Sequence, residues 1–126
     1  MIDNKYYKGF EDEKEVTIYY VDFRGRKEGF SSWDGYFDTL IDGCFSLNYS
    51  SNGLIKYFNE LNNITESPWK IPNLSVAINE IKGYRREKIA SYSPHMIKCC
   101  EEVRQKLLSL LETAQAEGLD VYIEYD

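Results

Sequence analysis

The segment SPHMIKCCEEVRQKLLSLLETAQAEGLDVYIEYD, residues 93–126, carries the clearest pattern in the chain and decides the predicted fold. Ser93 is a suitable N-cap, and Pro94 suits the first helical position because its missing N–H has no partner there. Gly118 can end a helix in the left-handed conformation. Between these signals, apolar side chains recur every three or four residues, as on one face of an amphipathic helix. The segment therefore predicts a helix over about Pro94–Glu117.

Alternating residues after this helix predict a β-strand over Leu119–Tyr125, with apolar odd positions and even positions that are acidic or tyrosine. A second strand, Glu15–Phe23, is apolar on both faces, which favours a position covered on both sides. After a turn, Lys27–Phe30 can return as a short partner strand. Residues 50–64 and 72–84 show shorter helical patterns. This order predicts a single α+β domain over residues 1–126, with a small sheet packed by several helices.

Charge and cysteine content limit the class of protein. The net charge of -6 argues against a nucleic-acid binder, which needs a basic surface. The three cysteines form no CxxC pair and no even set, which indicates a reducing compartment. No signal peptide or run of membrane-spanning length is recognisable. We therefore expect a cytoplasmic protein with no membrane association.

The stretch SSWDGYFDTLIDGCF, residues 31–45, spaces Asp34, Asp38 and Asp42 four residues apart. Residues at this spacing share a face on a helix and also on a strand. A helix is favoured, with Ser31 or Ser32 as its cap, although two internal glycines oppose it. Its other face would be apolar, with Phe37, Leu40, Ile41 and Cys44. Three like charges in a row weaken a helix, so this row is a solvated face or a functional surface.

No combination of residues in the sequence forms a convincing catalytic or metal site. The three aspartates would need further oxygen ligands to hold Mg²⁺ or Ca²⁺, and no glycine-rich phosphate loop accompanies them. The single histidine, His95, has only cysteines as candidate nucleophiles, and a buried cysteine is more often a small apolar residue. We therefore expect no enzyme activity, no cofactor and no metal. A small metal-dependent hydrolase that uses the aspartates as ligands is the least favoured alternative.

One basic stretch, KGYRREK at Lys82–Lys88, stands out in the acidic chain. It is a weak candidate for a phosphate or nucleic-acid patch. It can equally pair with the acidic termini of the same chain, residues 1–22 and 107–126, or form half of a complementary dimer. A solvated helix end or linker is the favoured interpretation.

In size, acidity and aromatic content, the chain resembles the small immunity proteins encoded beside contact-dependent growth inhibition and other polymorphic toxins of bacteria, most strongly at residues 31–45. The resemblance implies a cytoplasmic single domain that binds its cognate toxin, often a nuclease. The predicted function is a non-catalytic immunity protein that binds and neutralises a basic nuclease toxin through an acidic, aromatic surface. The predicted contact residues are Trp33, Asp34, Tyr36, Asp38 and Asp42, and, on the last strand, Tyr122, Glu124 and Asp126. The main alternative is a generic interaction or regulatory domain, including a homodimer.

Overall fold

A computed structural model describes residues 1–44, 53–55 and 67–126, which form a five-stranded mixed sheet packed by helices. The elements are β1 (Ile2–Tyr6), β2 (Glu15–Val21), β3 (Lys27–Trp33), α1 (Asp34–Cys44), β4 (Trp69–Lys70), α2 (Leu74–Lys82), a 3₁₀ helix (Arg86–Ile89), α3 (Pro94–Glu117) and β5 (Val121–Tyr125). The strand order is β1-β3-β2-β5-β4, in which β1 and β3 are parallel and the other neighbours are antiparallel. The predicted α+β fold is confirmed.

Strand β2 lies in the middle of the sheet, hydrogen-bonded to β3 on one side and to β5 on the other. Ile18 of β2 is in register with both Phe30 and Ile123, and all three side chains are fully buried. The ring of Phe30 stacks on Phe37 of α1 with 6.0 Å between centroids. Because side chains alternate along a strand, this register points one face of the sheet into the helical layer.

The long helix α3 has the predicted bounds, Pro94–Glu117. The hydroxyl of Ser93 accepts a hydrogen bond from the Met96 N–H at 3.2 Å, and Gly118 ends the helix with a φ of 68°. Its apolar seam is buried against the rest of the core and comprises Ile97, Cys100, Val103, Leu107, Leu111 and Ala114. No helix in the described part of the chain is long and apolar enough to cross a membrane.

Several boundaries differ from the prediction. β3 extends to Trp33, so Ser31 and Ser32 are buried strand residues and neither one caps α1. The Ser31 hydroxyl instead lies 2.8 Å from the Thr17 hydroxyl across the sheet. The short strands β1 and β4 were not predicted. The helix predicted over residues 50–64 lies outside the described residues, except for residues 53–55, of which Leu54 and Ile55 are helical and buried.

Replacing Gly29 with alanine should weaken the centre of the sheet. A Cβ at Gly29 would lie 2.0 Å from the carbonyl oxygen of Ile18 and 2.7 Å from the Cα of Tyr19. Because β2 and β3 would have to separate, we expect Gly29→Ala to lower the free energy of unfolding by about 1–3 kcal/mol. Urea unfolding followed by circular dichroism measures the change.

Gly83→Ala is the matched control, since its added Cβ would lie 3.3 Å from the carbonyl oxygen of Glu80, a contact that a shift of a few tenths of an ångström relieves. We expect this variant to stay within about 0.5 kcal/mol of the parent. Equal unfolding midpoints for Gly29→Ala and the parent would show that the strands do not approach as closely as described.

Candidate functional site

Helix α1 presents Asp34, Asp38 and Asp42, here called the acidic stripe, along one side. Asp38 and Asp42 are exposed and Asp34 is half-buried in the first turn, with successive positions about 6 Å apart along the axis. The predicted apolar face is confirmed, because Phe37, Leu40, Ile41 and Cys44 are all buried. The stripe therefore lies on a helix and not on a strand.

Helix α1 contains two glycines, which have low helix propensity, and at each of them an aromatic ring takes the space that a side chain would need. A Cβ at Gly35 would lie 2.4 Å from the indole of Trp33, and a Cβ at Gly43 would lie 2.7 Å from the ring of Tyr84. Each glycine weakens the helix by up to about 1 kcal/mol relative to alanine. α1 therefore depends on tertiary packing, and the glycines bring its backbone into contact with two aromatic side chains.

The carboxylates of the stripe repel one another. Partial burial raises the pKa of Asp38 above its ordinary value of 3.8, and the negative charges of Asp34 and Asp42 raise it further. No lysine or arginine of the described residues forms an ion pair with any of the three. Within the same residues, the buried Oδ1 of Asp34 has no hydrogen-bond partner. The stripe is thus an uncompensated cluster of negative charge that destabilises the helix carrying it.

The sheet register brings further acidic residues beside the stripe. Glu15 and Asp126 exchange main-chain hydrogen bonds of 3.2 and 3.0 Å, and Glu15 is also in register with Trp33. The N–H of Asp34 donates to the carbonyl oxygen of Lys14 at 3.0 Å, which joins the start of α1 to the same end of the sheet. Neighbouring strands are about 4.8 Å apart, so the main chains of Asp126, Glu15 and Trp33 lie side by side at the end of the sheet where α1 begins. We call the acidic residues at this end of the sheet, together with the stripe that follows them on α1, the acidic surface: Asp126, Glu15, Asp34, Asp38 and Asp42.

An aromatic cluster supports the centre of this surface. The ring of Phe10 stacks on Trp33 with 4.5 Å between centroids and 3° between planes, and Tyr36 meets both rings edge-on. Trp33 is partly exposed and directly precedes Asp34 in the chain. Tyr36 is only 6% exposed, and its expected place on the contact surface is corrected to the core. Burial, followed by a hydrogen bond with the Cys99 thiol, raises the pKa of Tyr36 to about 12.

Tyr122 and Glu124 lie away from the stripe. Their neighbours Val121 and Ile123 are buried in the core with the helices, so Tyr122 and Glu124 point to the opposite face of the sheet. There Glu124 accepts a hydrogen bond from the Tyr19 hydroxyl at 2.9 Å and pairs with Lys27 at 3.3 Å. By the same alternation the side chain of Asp126 belongs to this face too, and of the three predicted β5 residues only Asp126 has its main chain at the end of the sheet where α1 begins.

The basic stretch Lys82–Lys88 packs against other elements of the fold. Lys82 pairs with Glu112 at 3.9 Å, and Arg86 pairs with Glu101 at 3.6 Å. The N–H of Arg85 donates to a carbonyl oxygen of α1 at 2.8 Å. Exposed ion pairs of this kind contribute about 1 kcal/mol or less each. The favoured interpretation of a helix end and linker agrees with these contacts, and the partner Glu112 lies in the acidic C-terminal part of the chain.

Among the described residues, no group of three or more histidine, cysteine, aspartate and glutamate side chains is arranged to hold a metal ion. Cys44 and Cys100 are buried, and burial is the main cause that raises the pKa of each thiol to about 12. Cys99 is partly exposed, and its sulfur lies 3.6 Å from Nε2 of His95. His95 and Cys99 lie close together because they are four residues apart on α3, about one helical turn.

Comparison of the chain with protein-family models, curated proteins and solved structures finds no match. The roles of its residues are therefore inferred from their own geometry and chemistry.

Removing the middle charge of the stripe should stabilise the protein. Asp38 interacts with a like charge on both sides, so Asp38→Asn removes both repulsions. We expect a gain of a few tenths of a kcal/mol in the free energy of unfolding at pH 7 and low salt. The pKa of Asp38 is raised in the folded state. As the pH falls through that pKa, the carboxylate of the parent protein is protonated and its repulsion with Asp34 and Asp42 disappears. The gain should therefore vanish below about pH 3.8, the ordinary value.

Asp120→Asn is the control, because Asp120 is exposed and faces Lys70 at 3.9 Å. It removes the same charge but no repulsion within the stripe, so we expect no gain in stability. Chemical unfolding at neutral and acidic pH, repeated at high salt, measures both variants. Destabilisation by Asp38→Asn at pH 7 would contradict the account of the stripe.

Proposed function

We propose that the protein is a non-catalytic immunity protein that neutralises a basic, nuclease-type toxin by covering its cationic substrate-binding surface. The supporting observation is the acidic surface itself, five neighbouring positions with no ion pair to any other described residue. Folding alone gives no reason to place Asp34, Asp38 and Asp42 in a row, since these three charges repel one another. A cationic partner supplies the missing compensation.

The charge pattern suits a nuclease as the partner. An enzyme that acts on RNA or DNA binds phosphates through a basic surface, which an inhibitor can occupy with carboxylates. Complementary charge also accelerates encounter and fixes the register of the two proteins. Relief of the repulsion within the stripe adds to the favourable free energy of binding, because a partner's lysines or arginines neutralise Asp34, Asp38 and Asp42 together.

Trp33 is the proposed aromatic anchor of the interface. Tryptophan is enriched among residues that dominate binding energy, especially beside desolvated charge. The stack on Phe10 and the edge contact with Tyr36 hold the indole in place before binding. A side chain that is already fixed loses little conformational entropy on association. Trp33 can therefore contribute apolar contact at the point where the sheet end meets the stripe.

The proposed location is the cytoplasm, where a nuclease toxin would meet its substrate. All three cysteines are free thiols in the structure, as expected for a protein kept in a reducing compartment.

Titration against the product of the adjacent gene tests the proposal. We expect tight binding with an association rate that falls steeply as salt is added. The triple variant Asp34→Asn, Asp38→Asn, Asp42→Asn should weaken the affinity about 100-fold, since close charge pairs at interfaces contribute several kcal/mol. Isothermal titration calorimetry and stopped-flow fluorescence measure these quantities.

A control triple variant, Glu87→Gln, Glu117→Gln, Asp120→Asn, changes the net charge equally at exposed positions outside the acidic surface. It should alter the affinity by less than about threefold, because distant exposed charges are screened. Tight binding that the stripe variant leaves unchanged would refute the site. Absence of binding, together with dimerisation in gel filtration, would favour the alternative of a self-associating interaction domain.

A further inference from the structure

A cleft lies between the N-terminal part of the chain and the beginning of α3. Its volume is about 380 Å³, within the range of about 300–1,000 Å³ that is usual for small-molecule sites. Residues of β1 and the turn after it form one wall, and the first three turns of α3 form the other. The charge of this cleft is opposite to that of the acidic surface.

Three lysines, Lys5, Lys8 and Lys98, line the cleft together with one carboxylate, Glu102. With His95 neutral, the lining residues carry a net charge of +2, in a chain whose total is -6. All three lysines are exposed, so their ammonium groups can turn toward a ligand. This reversal of sign points to an anionic ligand, and a charge of +2 matches a dianion.

The single carboxylate is already engaged on one side of the cleft. Glu102 accepts a hydrogen bond from the Tyr6 hydroxyl at 3.3 Å and lies 3.8 Å from the ammonium of Lys5. Lys8 and Lys98 form no ion pair within the described residues. Main-chain hydrogen bonds are the largest cause that lowers the pKa of Glu11, and the positive charge of Lys8 adds to this effect. Lys8 and Lys98 can therefore bind a ligand, while Lys5 is held by Glu102.

Aromatic rings complete the lining. Tyr6 and Phe10 are half-exposed, and buried Tyr36 forms part of the floor. Rings beside ammonium groups suit a ligand that has an apolar or planar part attached to its charged group. Inorganic phosphate would use the lysines and leave these rings without contact.

From this arrangement we propose that the cleft binds a small phosphomonoester, with its phosphate dianion between Lys8 and Lys98 and its organic part against Tyr6 and Phe10. Lysine binds phosphate as a point charge and requires no rigid geometry, which fits exposed and flexible side chains. The proposal concerns a site apart from the acidic surface and stands or falls independently of toxin binding.

Cys99 provides a probe inside the cleft. It is the one partly exposed cysteine of the three, while Cys44 and Cys100 are 4% and 0% exposed. A neutral alkylating reagent such as iodoacetamide should therefore label Cys99 first in the native protein. A ligand in the cleft should slow this labelling, whereas a ligand bound elsewhere should not.

Phenyl phosphate is the test ligand, with inorganic phosphate and benzoate for comparison. Calorimetry at low ionic strength should show binding of phenyl phosphate that is at least about tenfold tighter than either comparison ligand. The same titration should slow alkylation of Cys99. The variant Lys8→Gln, Lys98→Gln should weaken binding about tenfold or more, and the equally charged control Lys14→Gln, Lys70→Gln, whose lysines lie outside the lining, should change it less than about twofold.

Each contrary result overturns a stated part of the proposal. Equal affinity for inorganic phosphate would assign the cleft to the free ion, and equal affinity for benzoate would remove the preference for phosphate. Equal losses of affinity in the two double variants would show that binding depends on the overall charge of the protein and not on Lys8 and Lys98. Binding that leaves alkylation of Cys99 unchanged in the parent protein would place the ligand outside the cleft, whatever the variants show.

Discussion

The pairing of β2 with β3 on one side and β5 on the other is the constraint on which the rest of the structure depends. In the middle of these strands, the register aligns Ile18 with Phe30 and Ile123 and so builds the face on which the helices pack. At their end, the same register brings Glu15 beside Asp126 and starts α1 at Asp34. One set of backbone hydrogen bonds thus produces both the core and the acidic surface.

Stability and the proposed function act in opposite directions on α1. Two glycines and three like charges weaken this helix, and burial of its apolar face against the sheet and α3 has to offset both. Proteins commonly keep such locally unfavourable residues where they bind partners. Phe10 and Tyr36 line the cationic cleft, and Trp33, which stacks on Phe10 and contacts Tyr36, directly precedes Asp34 of the stripe, so one aromatic cluster lies next to both charged regions.

Local signals were sufficient to predict some elements and not others. The cap at Ser93 and the apolar period of α3 lie within one segment, so its bounds were predicted correctly. β1 was missed because its edge position leaves its middle residues polar, and Ser31 and Ser32 were taken as caps because their burial depends on partners across the sheet. The stripe followed from spacing alone. The core position of Tyr36 and the cleft depend on contacts between residues distant in sequence, for which the chain gives no local sign.

The central claim is that the partner of this protein contacts the acidic surface. Chemical-shift mapping of the ¹⁵N-labelled protein with the product of the adjacent gene tests it most directly, because it locates the interface without altering any side chain. The account predicts that the largest amide shifts occur in α1, at Glu15 and at Asp126. Shifts confined to Tyr19, Tyr122 and Glu124, on the opposite face of the sheet, would contradict it.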